Sequence, residues 1–271
     1  MTVPQAVLLG LLQGLTEFLP ISSSGHLVLG KAILRVPFSG DIAFEVFVHF
    51  GTFLSLLTFF RGEVLRMLVS VANSTRRPGF IPQLYRDDEY FRLAVLILLG
   101  SIPAAIAGLS FEDQASEFFS DPKLVAVMLL VTGFVLMMTR KAKPQEGRDV
   151  KLGSTLLIGV AQAVAIIPGI SRAGSTISTG LFLGVSRENS ARFSFLLALP
   201  AILGATALKV GEVIAESPPS GVVLLYIAGI SSAYVSGLIA IKVLLEILKM
   251  GRFSWFAYYC FLVGTLAIFF I

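Results

Sequence analysis

Two polar islands interrupt an otherwise apolar chain. The first is Gln13-Gly-Leu-Thr-Glu-Phe-Leu-Pro-Ile-Ser-Ser-Ser-Gly-His26, with one acid, three consecutive hydroxyls and one of the chain's two histidines. The second is Pro168-Gly-Ile-Ser-Arg-Ala-Gly-Ser-Thr176. Polar groups at membrane depth are costly and need a partner, a watery cavity or a function. The two islands are expected to meet and form one site.

Each residue type suggests its own chemistry. The ring of His26 can move a proton near neutral pH or attack phosphorus through nitrogen. On its own it could equally be a histidine bonded across helices, but Glu17 and the serines beside it favour a functional role. Glu17 follows Gln13 by four residues, so on a helix both point the same way. A carboxylate with an amide oxygen suits a hard divalent cation such as Mg²⁺, and the acid alone could serve as a base or orient His26 or a serine. Arg172 carries a fork matched to phosphate, next to a restarting helix whose free N–H groups bind anions. Ser171, Ser175 and Thr176 add donors, and Gly174 permits close backbone approach. Ser22, Ser23 and Ser24 could contact phosphate, one could be a nucleophile, and one or two read as ordinary helix caps. His49 lies mid-span without such neighbours and reads as structural. Glu63 and Glu212 read as loop-facing, and Ser186-Arg187-Glu188 as a helix cap. Two histidines and one cysteine argue against a tetrahedral zinc site.

The elements that must hold these residues are membrane helices. The chain has 271 residues, 14% of them charged, with a mean hydropathy of +0.86; soluble domains carry roughly 25% charged residues. Its apolar runs reach the ~20 residues a spanning helix needs, and they are continuous rather than alternating. Spans are expected at 42–60, 93–109 with a kink at Pro103, 123–139, 190–210, 222–247 and 253–271. Residues 3–19 with 27–35, and 153–167 with 176–185, are broken near Pro20 and Pro168-Gly169. Both read as re-entrant helix–loop–helix hairpins, a shape tolerated where irregular backbone lines a cavity. Segment 61–92 reads as a polar loop, and Pro218-Pro219 and Lys249–Arg252 as turns. Without Lys or Arg before Lys31, residues 1–30 read as mature protein rather than a signal peptide. A lone Cys260 excludes an internal disulfide. The basic residues form no separate domain, which argues against nucleic acid as a partner.

An internal repeat joins the halves. Gln13/Gln162, Ser22/Ser171, Gly25/Gly174, Phe44/Phe193 and Gly62-Glu-Val64/Gly211-Glu-Val213 are all 149 residues apart. The chain therefore reads as one transmembrane domain, 1–271, with repeats at about 1–110 and 150–260. The basic segments 61–92 and 140–151 are expected inside, and the acidic segment 110–121 outside. The repeats then run in opposite directions, which places a binding site near the midplane where the broken helices converge. The fold class is all-α, polytopic, with inverted-topology repeats and two re-entrant hairpins.

Leu12 to His26 resembles the first signature of the undecaprenyl-diphosphate phosphatase family linked to bacitracin resistance, and Pro168 to Thr176 is similar to its second. The likeness covers essentially the whole chain. It implies a phosphoric anhydride hydrolase of the bacterial inner membrane, whose active site opens to the periplasm and whose activity a divalent cation supports. Its substrate would be a polyprenyl diphosphate lipid, and its product undecaprenyl phosphate, the carrier of cell-wall precursors. By that likeness Gln13 and Glu17 match the pair tied to metal or acid–base work. Ser22 and Ser23 match phosphate-contacting or nucleophilic serines, His26 the functional histidine, and Ser171, Arg172 and Thr176 the second group. Gln13 stands where some members have Glu, and Ala173, where many have Ser, is assigned no role. The bilayer is the obligatory partner, and a second copy of the chain is a candidate one. The rival class is a transporter or flippase of a polyprenyl phosphate lipid, which inverted repeats would also suit.

Overall fold

The structure is a computed structural model that describes residues 1–34, 36, 42–75, 81–110, 118, 121–215 and 222–270. Among the described residues every regular element is helical. In chain order they are α1 (Val3–Phe18), α2 (Ser23–Ile33), α3 (Ile42–Phe59), α4 (Arg61–Thr75), α5 (Ile81–Asp87), α6 (Glu89–Ser110), α7 (Pro122–Met138), α8 (Leu152–Val164), α9 (Arg172–Phe182), α10 (Arg187–Ala215), α11 (Val223–Lys249) and α12 (Phe256–Phe270). Five helical stretches among these residues are long and apolar enough to cross a bilayer: Glu89–Ser110, Pro122–Lys141, Arg187–Ala207, Val223–Lys249 and Phe253–Phe270. Their outward faces are apolar. On α6, Leu98, Ile102 and Ile106 are spaced one turn apart and all exposed, as a lipid-facing stripe should be.

Small residues draw the helices together where lipid offers no hydrophobic driving force. Gly10 and Gly14 put α1 against α11 so closely that an added Cβ would lie 2.4 Å from the Gly229 or Ala233 carbonyl oxygen. Gln13 and Glu17 share this helix, so the packing fixes where they point. Beneath them Phe18, fully buried, meets Phe195 of α10 edge-on at 5.8 Å between ring centroids. Lys31 of α2 pairs with Glu45 of α3.

Helix boundaries depart from the sequence expectation in an instructive way. The helix after the first break begins at Ser23, not residue 27, and the one after the second begins at Arg172, not residue 176. Ser22 and Ser171 are N-caps, each accepting from the glycine N–H three residues on. The hydroxyl-rich islands are thus first turns of helices rather than loops. Segment 61–92 is also corrected: it folds into α4 and α5 and then the start of α6, apart from residues 76–80, which lie outside the described residues. Leu65, Met67, Leu68 and Val69 sustain the helix despite the arginines. Glu63, expected to face a loop, instead takes the Nε of Arg192 at 2.6 Å, while Glu89 takes its Nη1 at 2.9 Å, so one guanidinium ties α4 and α6 to α10. Helix α6 runs on through Pro103. Ser186 caps α10 by accepting from Asn189 N, as expected. Gly251 turns the chain between α11 and α12 with φ +70°. Glu112, Asp113, Glu117, Pro218, Pro219 and the side chain of Glu212 lie outside the described residues.

Candidate active site

The ends of α1 and α8 and the starts of α2 and α9 come together around a cavity of about 430 Å³. Glu17, Ser22, Ser23, Ser24, Ser171 and Arg172 line it, with Glu45 and His49 of α3 and an apolar wall that includes Ile166, Ile170 and Ile202. The two islands therefore meet, as expected.

Glu17 is the hub. Its Oε1 accepts from Arg172 Nη2 at 2.7 Å, and its Oε2 accepts from Gln13 Nε2 at 2.9 Å and Ser23 Oγ at 2.5 Å. This joins residues 155 positions apart through a nearly buried ion pair. Breaking such a pair by deleting one partner costs about 3–5 kcal/mol, because the other charge stays buried alone. The guanidinium is only half used: Arg172 Nη1 is buried with no hydrogen-bond partner among the described residues. As the first residue of α9, Arg172 also sits where the helix presents unsatisfied N–H groups and partial positive charge. An anion entering the cavity meets that charge and the serine hydroxyls together.

The breaks themselves are braced. Thr132 of α7 donates to Gly169 O at 2.9 Å and accepts from Ser171 N at 3.1 Å, holding the second break. Gly169 has φ +92°, and a Cβ there would lie 2.4 Å from Val125 O. Its N–H reaches Ser24 Oγ at 3.4 Å, linking the two islands. In the first break Ser22 takes φ 67°, the only positive φ outside glycine among the described residues. Such backbone costs on the order of 1–3 kcal/mol and persists only where its surroundings impose it.

Not every expected residue reaches the cavity. His26 is buried beside it, with Nδ1 at 2.8 Å from Ser22 O and Nε2 at 2.9 Å from the Tyr259 hydroxyl of α12. Thr176 turns away, bonding to Arg172 O at 2.8 Å and Ser194 Oγ at 2.6 Å, so it packs α9 on α10. Gly174 donates to its own cap, and Ser175 does not line the cavity. His49, read from sequence as structural, does reach it. Its Nδ1 lies 2.7 Å from Glu45 O and its Nε2 3.8 Å from Glu17 Oε2. The available signal was Glu45 and His49, two ionisable groups one turn apart in an apolar helix.

For a divalent cation, Gln13 supplies one telling atom: its Oε1 is buried without a hydrogen-bond partner among the described residues. Glu17 shares both oxygens with protein donors. Among the described residues no cluster of three or more His, Cys, Asp or Glu side chains could cage a metal. Gln13 is fully buried and does not line the cavity, so a cation it shared with Glu17 would need substrate phosphates to complete its shell.

A family model described as bacitracin resistance protein BacA matches residues 6–266. The undecaprenyl-diphosphatase of Salinibacter ruber is 42% identical over 269 residues, covering 99% of this chain and 99% of its own. That of Desulforapulum autotrophicum is 42% identical over 273 residues, covering 99% and 98%. That of Desulfosudis oleivorans is 44% identical over 265 residues, covering 96% and 95%.

Proposed function

The chain belongs to the bacitracin resistance protein BacA family, and on that premise we propose that the cavity between the two broken helix pairs is where it hydrolyses undecaprenyl diphosphate. The protein is a multi-pass membrane phosphatase that releases inorganic phosphate and returns undecaprenyl phosphate to cell-wall synthesis, the activity underlying bacitracin resistance. One observation carries the site assignment: Ser23 donates to a carboxylate whose other oxygen is held by Arg172.

In the mechanism this supports, the lipid enters sideways and its terminal phosphate sits against the Arg172 guanidinium and the start of α9. Ser23 Oγ attacks the terminal phosphorus as its proton passes to Glu17. The bond to the bridging oxygen breaks, and its electron pair leaves with undecaprenyl phosphate. Water then hydrolyses the phosphoserine, restoring Ser23 and releasing phosphate. Ser22, Ser24 and Ser171 surround the transferring group. Phosphoryl transfer is chiefly positioning and charge neutralisation, so a pre-organised guanidinium and helix terminus do most of the work. Gln13 and Glu17 are the residues that would hold a divalent cation, which when bound neutralises phosphate charge.

The shared offset of 149 supports reading the halves as inverted repeats with re-entrant hairpins: α2 and α9 are both 11 residues long and start and end at equivalent positions. The basic segments at 61–92 and 140–151 support a cytoplasmic placement of those segments, and the family resemblance implies an inner-membrane protein whose cavity opens to the periplasm.

The test is phosphate release from a polyprenyl diphosphate by purified protein in detergent, with Mg²⁺ or with EDTA, beside Arg172→Ala. Wild type should release phosphate, and Arg172→Ala should lose at least ~100-fold. Loss in EDTA with recovery in Mg²⁺ would support the cation, and indifference to EDTA would remove it. No release from folded wild type would overturn the hydrolase reading in favour of lipid transport, to be measured as flux across sealed vesicles.

A further inference from the structure

The last helix touches the first break twice. Tyr259 reaches His26 Nε2 at 2.9 Å, and its ring stacks on the imidazole with 5.5 Å between centroids and 14° between planes. The neighbouring Cys260 Sγ lies 3.7 Å from Pro20 O. Neither residue lines the cavity.

The hydrogen bonds fix the state of the ring. Ser22 O is a carbonyl and can only accept, so His26 Nδ1 carries the proton. In the neutral ring Nε2 then has a lone pair, and the Tyr259 hydroxyl donates to it. Both nitrogens are committed, and neither is left to abstract a proton from Ser23 or to attack phosphorus. What the imidazole does instead is hold a backbone. Ser22 O receives the Nδ1–H and also the backbone N–H of His26 at 3.2 Å. This is the residue with φ 67°, whose conformation sets the direction in which Ser23 and Ser24 leave the break. Strained backbone of this kind needs an external hold.

We propose that Tyr259 is a positioning residue of the phosphatase reaction, acting through His26 to hold the Ser22 backbone so that Ser23 faces Glu17. His26 is then the middle of a clamp, not the base or nucleophile. This rests on the reading of Ser23 as the attacking group.

The experiment uses full-length protein labelled with ¹⁵N-histidine. The chain has only two histidines, so two pairs of ring-nitrogen signals are expected, and His49→Gln assigns them. The His26 ring of wild type should show the Nδ1–H form, and its Nε2 resonance should move in Tyr259→Phe. That variant keeps the stack and loses the hydroxyl. It should lower kcat about 5-fold, the worth of one hydrogen bond, with KM little changed. His26→Asn keeps an N–H able to reach Ser22 O but no ring, and should retain at least ~10-fold more activity than His26→Ala. Equal inactivity of His26→Asn and His26→Ala would overturn the clamp and return His26 to the chemistry. So would an Nε2–H ring in wild type, or a Tyr259→Phe protein with wild-type kcat and ring signals. If wild type releases no phosphate, the hydrolase reading fails by itself, and the ring signals of wild type and Tyr259→Phe still decide the clamp.

Discussion

The two breaks share one local layout and carry different chemistry. Each ends in a serine cap, and each starts an 11-residue helix whose third residue is a glycine bonded to that cap. At the first helical position the first break has Ser23 and the second Arg172, residues 149 apart. Glu17 has Ile166 as its counterpart, and His26 has Ser175. The backbones differ as well: Ser22 takes φ 67°, whereas Ser171 rests at φ −76° and ψ 119°. The shared layout supplies two similar helix starts at one cavity. One is specialised to deliver a hydroxyl and a carboxylate, the other to deliver positive charge. Only the break that presents the hydroxyl holds a non-glycine residue at positive φ among the described residues.

The largest expected effect tests the division of labour at those equivalent positions. Ser23→Ala should lower turnover by at least ~1,000-fold while leaving the thermal midpoint near that of wild type, since Ser23 is a donor at a cavity wall. Arg172→Ala should lower both activity and midpoint, because it abandons Glu17 as a buried, unpaired charge. Equal thermal loss in the two variants would break the proposed asymmetry.

A smaller effect separates the paired glutamines. Gln13 donates to Glu17, whereas both polar atoms of Gln162 are buried without a partner among the described residues, its neighbour one turn on being Ile166. Gln162→Leu should be neutral or raise stability by ~1 kcal/mol with activity retained. Gln13→Leu should lower activity about 10-fold. Thermal melts beside phosphate release would check both, and a Gln162→Leu protein that loses activity would show a polar role in the second copy.

The smallest effect concerns the caps. Glycine is at ease at positive φ, so Ser22→Gly should cost less stability than Ser22→Ala by roughly 1 kcal/mol. At Ser171, whose backbone is ordinary, the gap should shrink to the cap preference alone. Denaturant midpoints of the four variants would measure it.

Much of this was legible because polarity is conspicuous in apolar sequence. Gln13, Glu17, the serines and Arg172 stand out in the sequence, and the structure brings Glu17, the serines and Arg172 to one cavity. The helix starts were misplaced because serine and glycine read as breakers, yet Ser22 and Ser171 cap the helices they precede. Segment 61–92 read as a loop because its arginines masked Leu65, Leu68 and Val69. His49 reads as structural because nothing near it in the chain suggests Glu17, 32 residues earlier. Tyr259 could not be seen at all, since an aromatic residue in an apolar helix has no signature until its hydroxyl finds a partner 233 residues away.

Cys260, completely buried against Pro20, has a practical meaning for the topology of the molecule. It is the chain's only thiol, so membrane-impermeant alkylating reagents meet a native background that is silent. A cysteine placed at Thr206, on the cavity wall, would be the sole target. Labelling it from one face of an oriented membrane, and its protection by a diphosphate lipid, would turn the cavity into its own reporter of sidedness and occupancy.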